Sequence, residues 1–481
     1  MSERRYIQVV VPVKLEWCPW YYSDTALERG TRVRVRLGRN VYIGFVLNEG
    51  GEPDIDPKRI QPLIGVESQL ERISDDEIKL WHFIADYYLC TIGEVFKAAY
   101  PALRVNAESK TARTGKSSLT DCAEGKHKKL NDADKKAVTE ILDAFDNRKT
   151  ALLHGSDRNR IYDELTRRTL TEGKDVLVLS PGSDRMSSTA RRDVAKLLRS
   201  DKPVVVRASR TAIFLPFHKL GLVIIDEEQD VTYKQDSPAP RYNARDVALV
   251  LAQLQNANVV LGSSAPSLES FFNVSTGKYH YVRLSSNTEQ TAGIGEMRST
   301  DIAENNFLLI DTDAEKRKNG MVGELSRVLI CEKEAAESLK KKVLVVNSWE
   351  LGNISKMKLD KYAFVAVLHF EFLFSRPDFR ADEKAWQTLE KLKSATKGRL
   401  VVQTSNASHP IFSGNVERMM EERKAVGLPP YTRQIVARGR DGEILKQAFL
   451  AKDSNLAQTK KRFLQESSSM PGFTTVDVDP V

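Results

Sequence analysis

The chain has 481 residues, of which 41% are hydrophobic, and a formal net charge of +8 at pH 7. This length suits roughly three domains of ~150 residues, and the apolar content excludes a disordered chain. No apolar run reaches the ~18 residues of a membrane span and the N-terminus lacks a secretory-signal pattern, so a cytoplasmic protein with no membrane partner is expected.

The first predicted region, residues 1–104, is a small β-rich domain. Short apolar runs alternate with turn residues, as is typical of strands. In TRVRVRLG the period of two puts valines on one face and arginines on the other. The arginine face is either a basic binding face or a solvated outer face, and it carries Arg32, Arg34 and Arg36. A helix follows, because Ser74 and Glu77 match a capping box ahead of apolar residues at helical spacing.

The rest of the chain predicts two lobes in which strands alternate with helices. Residues 105–129 are polar and basic, which indicates a linker. The alternation that follows favours parallel sheets in a first lobe, 130–285, and a second, shorter lobe, 286–412. Residues 413–481 are interpreted as a C-terminal remnant, with a Met- and charge-rich helix, the segment LPPYTRQIVARG and a polar tail. The predicted fold class is therefore α/β, with an N-terminal β-rich domain.

The cysteines and two histidines give little support to a metal or redox site. The four cysteines are scattered without a close pair, which argues against a disulfide framework and against a zinc site, and they are interpreted as reduced. His154 and His369 lie at predicted strand ends without a nucleophile or ligand partner. Both are interpreted as structural.

One motif indicates nucleotide chemistry. GLVIIDEEQD is an apolar strand that ends in Asp226 and Glu227. Paired carboxylates at the carboxyl edge of an α/β sheet can orient magnesium and activate water. Apolar runs that end in acidic residues are common, so the motif gains weight only from its neighbours.

Those neighbours resemble the PriA family of bacterial replication-restart helicases. SRTAIFLPFHKLGLVIIDEEQD, YKQDSPAPRYNARDVALV and VVLGSSAPSLESF are similar, in order, to strings of that family's first helicase lobe. FSRPDFRADEKAWQTL is similar to its second lobe. The resemblance implies an N-terminal domain that binds the 3′ end of DNA and two RecA-like lobes. Its motif residues here are Arg210, Lys234, Gln235, Arg241, Arg245, Asp246 and Arg380.

The phosphate loop departs from the family pattern. Family members have a Gly-rich turn that ends in Gly-Lys-Thr, whereas this chain reads HGSDRNRIYDEL and lacks the Lys and further glycines. Backbone N–H groups cradle phosphates best where glycines permit the turn, and Asp157 adds a negative charge there. Gly155, Arg158 and Arg160 remain as a nucleotide-binding remnant. The two arginines could supply some charge, but an exposed surface pair is the more ordinary interpretation.

Other departures point the same way. Gln229 and Asn243 replace histidines of the family pattern, and Ala265 replaces a threonine. EKLKSATKGRL stands where the resemblance implies arginine fingers, whose loss typically lowers the rate by about 10³ to 10⁵. The family's zinc-binding insertion and winged-helix module are expected to be missing. No cofactor is therefore expected, neither zinc nor, unless an atypical site works, ATP and magnesium.

The resemblance also implies DNA-contacting residues in the N-terminal domain. Gly38 matches a pocket glycine and Arg39 follows it, while PWY replaces the family's aromatic-Asp-Tyr segment. Trp20 and Tyr21 could stack on a base, a contact worth ~1–3 kcal/mol, or could fill the core. Arg34 and Arg36 complete the predicted DNA-binding set.

Three functional hypotheses remain open. The favoured one is a PriA-like protein that binds forked or single-stranded DNA, including 3′ ends, or a replication-restart protein, without ATP-driven unwinding. The second is a helicase with an atypical phosphate site built from Arg158, Arg160, Asp226 and Glu227. The third is an interaction scaffold that does not bind DNA.

Overall fold

The computed structural model describes residues 4–100, 129–183, 186–284, 306–352, 354 and 357–480. Most of the predicted linker, residues 105–128, and Cys122 therefore lie outside the described residues. Cys18, Cys90 and Cys331 are free thiols. No helix of the described part of the chain is long and apolar enough to cross a bilayer.

The N-terminal region is a six-stranded sheet covered by two helices. Its strands lie in the order β5-β2-β1-β4-β3-β6 and pair antiparallel except for β2 with β5. The predicted capping box forms, since Ser74 accepts from the Glu77 N–H and Glu77 accepts from the Ser74 N–H. The elements are β1 Arg5–Val10, β2 Trp20–Ser23, β3 Arg32–Leu37, β4 Asn40–Glu49, β5 Gln61–Pro62, β6 Gly65–Val66, α1 Asp75–Tyr88 and α2 Ile92–Ala99.

The first lobe is a six-stranded parallel sheet with the order β12-β7-β11-β10-β8-β9. Its central strands are buried on both faces, which explains their continuous apolar runs. The elements are α3 Asp132–Asp146, β7 Thr150–His154, α4 Asn159–Thr171, β8 Asp175–Leu179, α5 Ser188–Leu198, β9 Val205–Ala208, β10 Leu220–Asp226, α6 Ala244–Leu254, β11 Asn258–Ser263, α7 Leu268–Ser275 and β12 Tyr279–Arg283.

The second lobe is a four-stranded parallel sheet, β13-β18-β17-β16, with a small hairpin of β14 and β15. The parallel sheets confirm the predicted α/β fold class. The elements are β13 Phe307–Asp311, α8 Thr312–Lys318, β14 Met321–Val322, β15 Leu325–Ser326, α9 Arg327–Ser338, β16 Val343–Asn347, β17 Phe364–Leu368, α10 Ala381–Ala395, β18 Arg399–Thr404 and α11 Val416–Ala425.

The final residues form an antiparallel sheet, β20-β19-β21, with one helix. The prediction of a polar tail here is wrong, because these residues form a folded unit in which some of the polar side chains, such as Asp477 and Lys460, are themselves buried. One buried cluster joins α1 and α2, the first lobe and this sheet, through residues such as Trp81, Val247, Ile435 and Val478. The elements are β19 Thr432–Arg438, β20 Ile444–Ala451, α12 Leu456–Ser468 and β21 Thr475–Val478.

Candidate functional site

The candidate site lies where three parallel strands of the first lobe end. β7 ends at His154, β10 at Asp226 and β11 at Ser263, and all three carboxyl ends meet at one edge of the sheet. The apolar part of β10 is buried, whereas Asp226 is only partly buried. Glu227 follows with a φ of 49°, a left-handed conformation that turns the chain. The fold therefore delivers both carboxylates to the edge that the sequence predicts.

The loop after β7 is short and strained. Gly155 has a φ of 143°, and a Cβ there would lie 2.7 Å from the Leu284 Cβ. Asp157 adopts a left-handed φ of 57°, which is uncommon for a residue other than glycine. α4 then begins at Asn159, and the preceding Arg158 makes no side-chain cap. The side chain of Arg158 is instead directed to the ends of the strands.

Arg158 binds both motif carboxylates. Its Nη2 lies 2.7 Å from Asp226 Oδ1 and 2.5 Å from Glu227 Oε1, and its Nε lies 3.0 Å from Asp226 Oδ1. Its Nη1 donates to the Gly155 carbonyl. Only 8% of the Arg158 side chain is exposed. The interpretation of Arg158 as exposed surface is therefore wrong, because the short loop turns it inward onto the strand ends.

Tyr162 completes the set of donors to Asp226. Its hydroxyl lies 2.8 Å from Asp226 Oδ1 and 3.0 Å from Arg158 Nε. A Cβ on Gly262 would lie 1.6 Å from the Tyr162 hydroxyl, so the absence of a side chain there makes room for the tyrosine. Three donors thus converge on a single oxygen of Asp226.

The charges at this site compensate one another. Burial raises the pKa of Glu227, but the Arg158 and Lys391 charges, with hydrogen bonds from Arg158 and Gln229, hold it below its usual value. Burial lowers the pKa of Arg158, and its neighbours Tyr162, Asp226 and Glu227 raise it above its usual value. The site therefore sets one guanidinium, that of Arg158, against two acidic side chains and offsets their charge only in part.

In this arrangement the residues do not fit the nucleotide and magnesium that the resemblance implies. Magnesium requires free carboxylate oxygens in octahedral geometry, and the Arg158 guanidinium binds Asp226 and Glu227 directly. The loop from Gly155 to Arg158 also lacks the lysine of a phosphate loop, and Ser156 is its only hydroxyl-bearing residue. Within the described ranges, no group of three or more His, Cys, Asp or Glu side chains is placed to hold a metal.

The remaining neighbours of the site are also engaged. Gln229 donates to Glu227 Oε2 at 2.7 Å and accepts from the Ser263 hydroxyl, while the Ser264 hydroxyl lies 3.1 Å from Glu227 Oε2. Arg160 points away and pairs with Asp134, with Nε 2.7 Å from Oδ2. The structure therefore does not bring Arg160 together with Arg158 at the carboxylates.

His154 packs at the end of β7. Its Nδ1 lies 2.8 Å from the Tyr281 hydroxyl. Burial, followed by the charge of Arg283, lowers the pKa of His154 to about 4, so the ring is neutral at physiological pH. These contacts are those of a packing residue at the edge of the site.

The predicted DNA-contacting residues of the N-terminal domain differ in how exposed they are. Gly38, with a φ of 60°, and the exposed Arg39 form the two-residue turn between β3 and β4. Trp20 is half-buried, and its Nε1 donates to Asp54 at 2.7 Å. Tyr21 is 3% exposed and donates to the Arg36 carbonyl, which leaves no ring face for base stacking.

The arginines of β3 do not form one open face. Arg32 is buried, and its guanidinium lies over the rings of Phe96 and Tyr100. Arg34 pairs with Glu67, and Arg36 is exposed. The predicted alternation holds, but α2 covers one end of the arginine face, so the prediction of an open arginine face is wrong for Arg32.

Comparison with known proteins identifies the relatives of this chain. Residues 8–101 match the family model described as 3'DNA-binding domain (3'BD). Replication restart protein PriA of Rickettsia prowazekii is 30% identical over 353 residues, which cover 68% of this chain and 50% of that protein. The chain is a relative of the replication restart protein PriA. The resemblance that the motifs predicted is confirmed.

Other PriA proteins are similar over different lengths. PriA of Chlamydia pneumoniae is 27% identical over a match that covers 59% of this chain and 51% of that protein. PriA of Haemophilus influenzae is 39% identical over a match that covers 27% of this chain and 21% of that protein. This chain thus spans about half the length of the first of these relatives. Among solved structures, the structure of RecG bound to three-way DNA junction aligns with 63% of this chain and with 45% of the RecG chain. The sequence identity is 13% and the TM-score is 0.30, so no argument is based on this alignment.

Several PriA-like motif residues hold the fold together. Arg245 Nη1 lies 2.8 Å from Glu228 Oε2, and its Nε lies 2.9 Å from Asp246 Oδ1. Glu228, whose side chain is fully buried, also accepts from the Ser267 N–H at 2.7 Å and from its hydroxyl at 3.0 Å. This network ties β10, α6 and the start of α7 together.

Lys234 links three parts of the molecule. Its side chain is fully buried, its Nζ lies 2.8 Å from Asp477 Oδ1, and it donates to the carbonyls of Arg241 and Val478. It also lies over the ring of Tyr88 in α1, 5.4 Å from the ring centre. The lysine therefore joins α1, the first lobe and β21.

The other motif residues stabilise loops and the boundary between the lobes. Gln235 donates to the carbonyls of Pro238 and Pro240, Arg241 donates to the Thr475 hydroxyl, and Arg210 donates to the Thr232 carbonyl. Arg380 of the second lobe pairs with Glu269 of the first at 3.1 Å.

The sequence reasoning missed four buried side chains on this boundary or at the C-terminal sheet. Glu383 accepts from the Leu268 N–H at 2.9 Å and pairs with Arg423 at 2.8 Å. Asp477 pairs with Lys234. No local pattern marks these pairs, because the partners are far apart in the chain. The only available signal is a charge with no charge of opposite sign nearby in the sequence, and it applies to Glu269 and Asp477 alone. The missed residues are Glu269, Glu383, Arg423 and Asp477.

Proposed function

We propose that this chain is a PriA-like DNA-binding protein of replication restart that does not unwind DNA with ATP. The observation that carries the proposal is the binding of Asp226 and Glu227 by Arg158 at 2.7 and 2.5 Å. A guanidinium that binds both carboxylates occupies the place where the metal of a bound nucleotide would otherwise meet them. The missing phosphate-loop lysine and arginine fingers support the same conclusion.

The DNA-binding part of the proposal rests on the N-terminal domain. Its match to a 3′DNA-binding domain and the relatives named PriA favour DNA, and in particular forks that carry a 3′ end. Trp20, Arg36 and Arg39 are at least partly exposed on this domain, and a stacking contact in single-strand binders is worth ~1–3 kcal/mol. Replication-restart proteins are the expected protein partners, and no cofactor is required.

The test combines DNA binding with ATP hydrolysis. We expect gel shifts with forks at low salt, log affinity that falls linearly with log salt, and no fork-stimulated ATP hydrolysis above background. Trp20→Ala should weaken fork binding about 5- to 150-fold, which corresponds to ~1–3 kcal/mol. Trp17→Ala is the matched control, since Trp17 is 60% exposed and is not part of the predicted pocket, and it should change affinity less than twofold.

Each alternative predicts a different outcome. Hydrolysis at the rate of an ordinary helicase would favour an atypical phosphate site, and thermal stabilisation by Mg-ATP that disappears in Asp226→Asn would locate it at β10. Absence of binding to any fork, flap or single strand at low salt would favour a scaffold that does not bind DNA.

A further inference from the structure

A cavity lies between the N-terminal domain and the first lobe, away from Asp226. Its volume is about 370 Å³, and it is lined by β3, β4, the end of α2 and one face of α5. None of the residues that bind Asp226 or Glu227 lines it. The proposed role in DNA binding without ATP does not use this cavity.

The cavity contains a buried cation with unused hydrogen-bond donors. Arg32 is 3% exposed, and among the described residues its buried Nε and Nη2 have no hydrogen-bond partner. Its guanidinium carbon lies 4.7 Å from the centre of the Tyr100 ring and 5.2 Å from that of Phe96, so the rings hold its plane without satisfying its N–H groups. Buried charged donors without acceptors are costly, and an acceptor supplied by a ligand would remove that cost.

The other walls of the cavity carry both positive charge and apolar surface. Arg191, Arg192 and Lys196 line it from α5, whose first turn, at Ser188, also faces it. A helix N-terminus adds a partial positive charge. The one lining carboxylate, Glu71, pairs with Arg199 outside the cavity.

The apolar side suits a flat group. Tyr100 and Phe214 line the cavity together with aliphatic side chains. The lining therefore combines Arg32 and the α5 cations, which suit an anion, with aromatic and aliphatic side chains, which suit a planar body. Pockets of this size hold small organic ligands.

We propose that this cavity binds a nucleoside monophosphate, with the phosphate on Arg32, Arg192 and Lys196 and the base against Tyr100 and Phe214. The same chemistry is carried by a free nucleotide and by the terminal nucleotide of a DNA strand with a 5′ phosphate.

The test measures ligand binding to the full chain by calorimetry. AMP should bind saturably, whereas adenosine and inorganic phosphate should each bind at least tenfold more weakly, because each lacks one half of the ligand. The double variant Arg192→Glu/Lys196→Glu should lose at least tenfold in affinity for AMP. Lys202→Glu, which changes another exposed lysine just beyond α5, is the matched control and should bind as the unchanged chain does.

The source of the ligand is separated by a second titration. A short oligonucleotide with a 5′ phosphate is compared with the same oligonucleotide without one. Preference for the phosphorylated oligonucleotide over AMP assigns the site to a strand end, and the reverse preference assigns it to a free nucleotide. Fork binding of the unchanged chain and of Trp20→Ala is measured in parallel. Failure of the DNA-binding proposal can then be distinguished from failure of the cavity proposal.

Two outcomes would overturn the proposal. One is no saturable binding of AMP or of the phosphorylated oligonucleotide, and the other is equal affinity in the charge-reversed double variant. Arg32→Lys provides a second measurement, because it keeps a cation over the rings but removes the planar donors. It should weaken AMP binding at least fivefold while the melting temperature stays within about 3 °C.

Discussion

Asp226 and Glu228 lie two residues apart at the end of β10, and each is bound by a different arginine. Glu228 is bound by Arg245, which belongs to a string that resembles the PriA pattern, whereas Asp226 is bound by Arg158, in the loop that departs from that pattern. In both places a guanidinium and neighbouring hydroxyl groups satisfy a carboxylate. The comparison teaches that a motif residue such as Arg245 can resemble the family pattern because it packs the fold. Whether the lobe can hydrolyse ATP has to be inferred from the loop that contains Arg158.

The largest effect is expected at the shared motif. Arg245→Met leaves Glu228, whose side chain has no exposed surface, without its counter-charge. Removing one partner of such a buried pair costs about 3–5 kcal/mol. The free energy of unfolding from urea titrations measures this change. Arg168→Met, at an exposed arginine, is the control, and a loss below about 1 kcal/mol for Arg245→Met would contradict the structural role.

A smaller effect is expected at the altered loop. Arg158→Met leaves Asp226 and Glu227, whose side chains keep 27% and 18% exposure and can be hydrated, so a loss of about 2–3 kcal/mol is expected. Urea titrations of Arg158→Met, Asp226→Asn and the double variant measure the coupling. The double variant should recover part of the stability. Fork-stimulated ATP hydrolysis should remain absent in Arg158→Met, and its appearance would mean that Arg158 alone blocks a working site.

The next effect concerns pH and His154. Its pKa falls from 6.5 to about 4 on folding, so between these values the unfolded chain binds more protons than the folded one. Stability is therefore fully present above pH 6.5 and is lost as pH falls toward 4, by about 1–2 kcal/mol for a partly buried ring. Unfolding titrations from pH 7 to 4 should show a shallower slope in His154→Gln. Equal slopes in the two proteins would contradict the burial of a neutral ring.

The smallest effect is expected at Arg160. Its side chain is 32% exposed, and its partner Asp134, although only 4% exposed, still accepts from the Asn131 N–H, so Arg160→Met should cost about 1 kcal/mol. The midpoint of urea unfolding, measured beside that of Arg158→Met, is the relevant quantity. A loss equal to that of Arg158→Met would remove the distinction between the two arginines.

Local patterns carried the correct predictions. The capping box of Ser74 and Glu77 and the buried strand that ends in Asp226 depend on residues close together in the chain, so the sequence alone reveals them. The alternation of β3 was also predicted correctly. What the sequence could not reveal was that α2 would cover Arg32 with Phe96 and Tyr100.

Contacts between distant segments account for the errors. Arg158 meets Asp226 across 68 positions of the chain, and only the length and conformation of the loop decide whether the side chain points inward. The polar residues after 440 suggested a tail. Asp477, however, is a buried residue whose carboxylate pairs with Lys234, 243 positions away in sequence. A composition-based interpretation treats such a residue as solvent-exposed, and only the fold shows its partner.

The buried Lys234 has a practical consequence for anyone who dissects this molecule into fragments. A polypeptide that stops before β21 would lack both the Asp477 carboxylate and the Val478 carbonyl. The Lys234 ammonium group would then lie next to the ring of Tyr88 without these two partners. Fragments of the first lobe should therefore retain the last strand, or carry methionine at position 234, if they are to be purified as folded material.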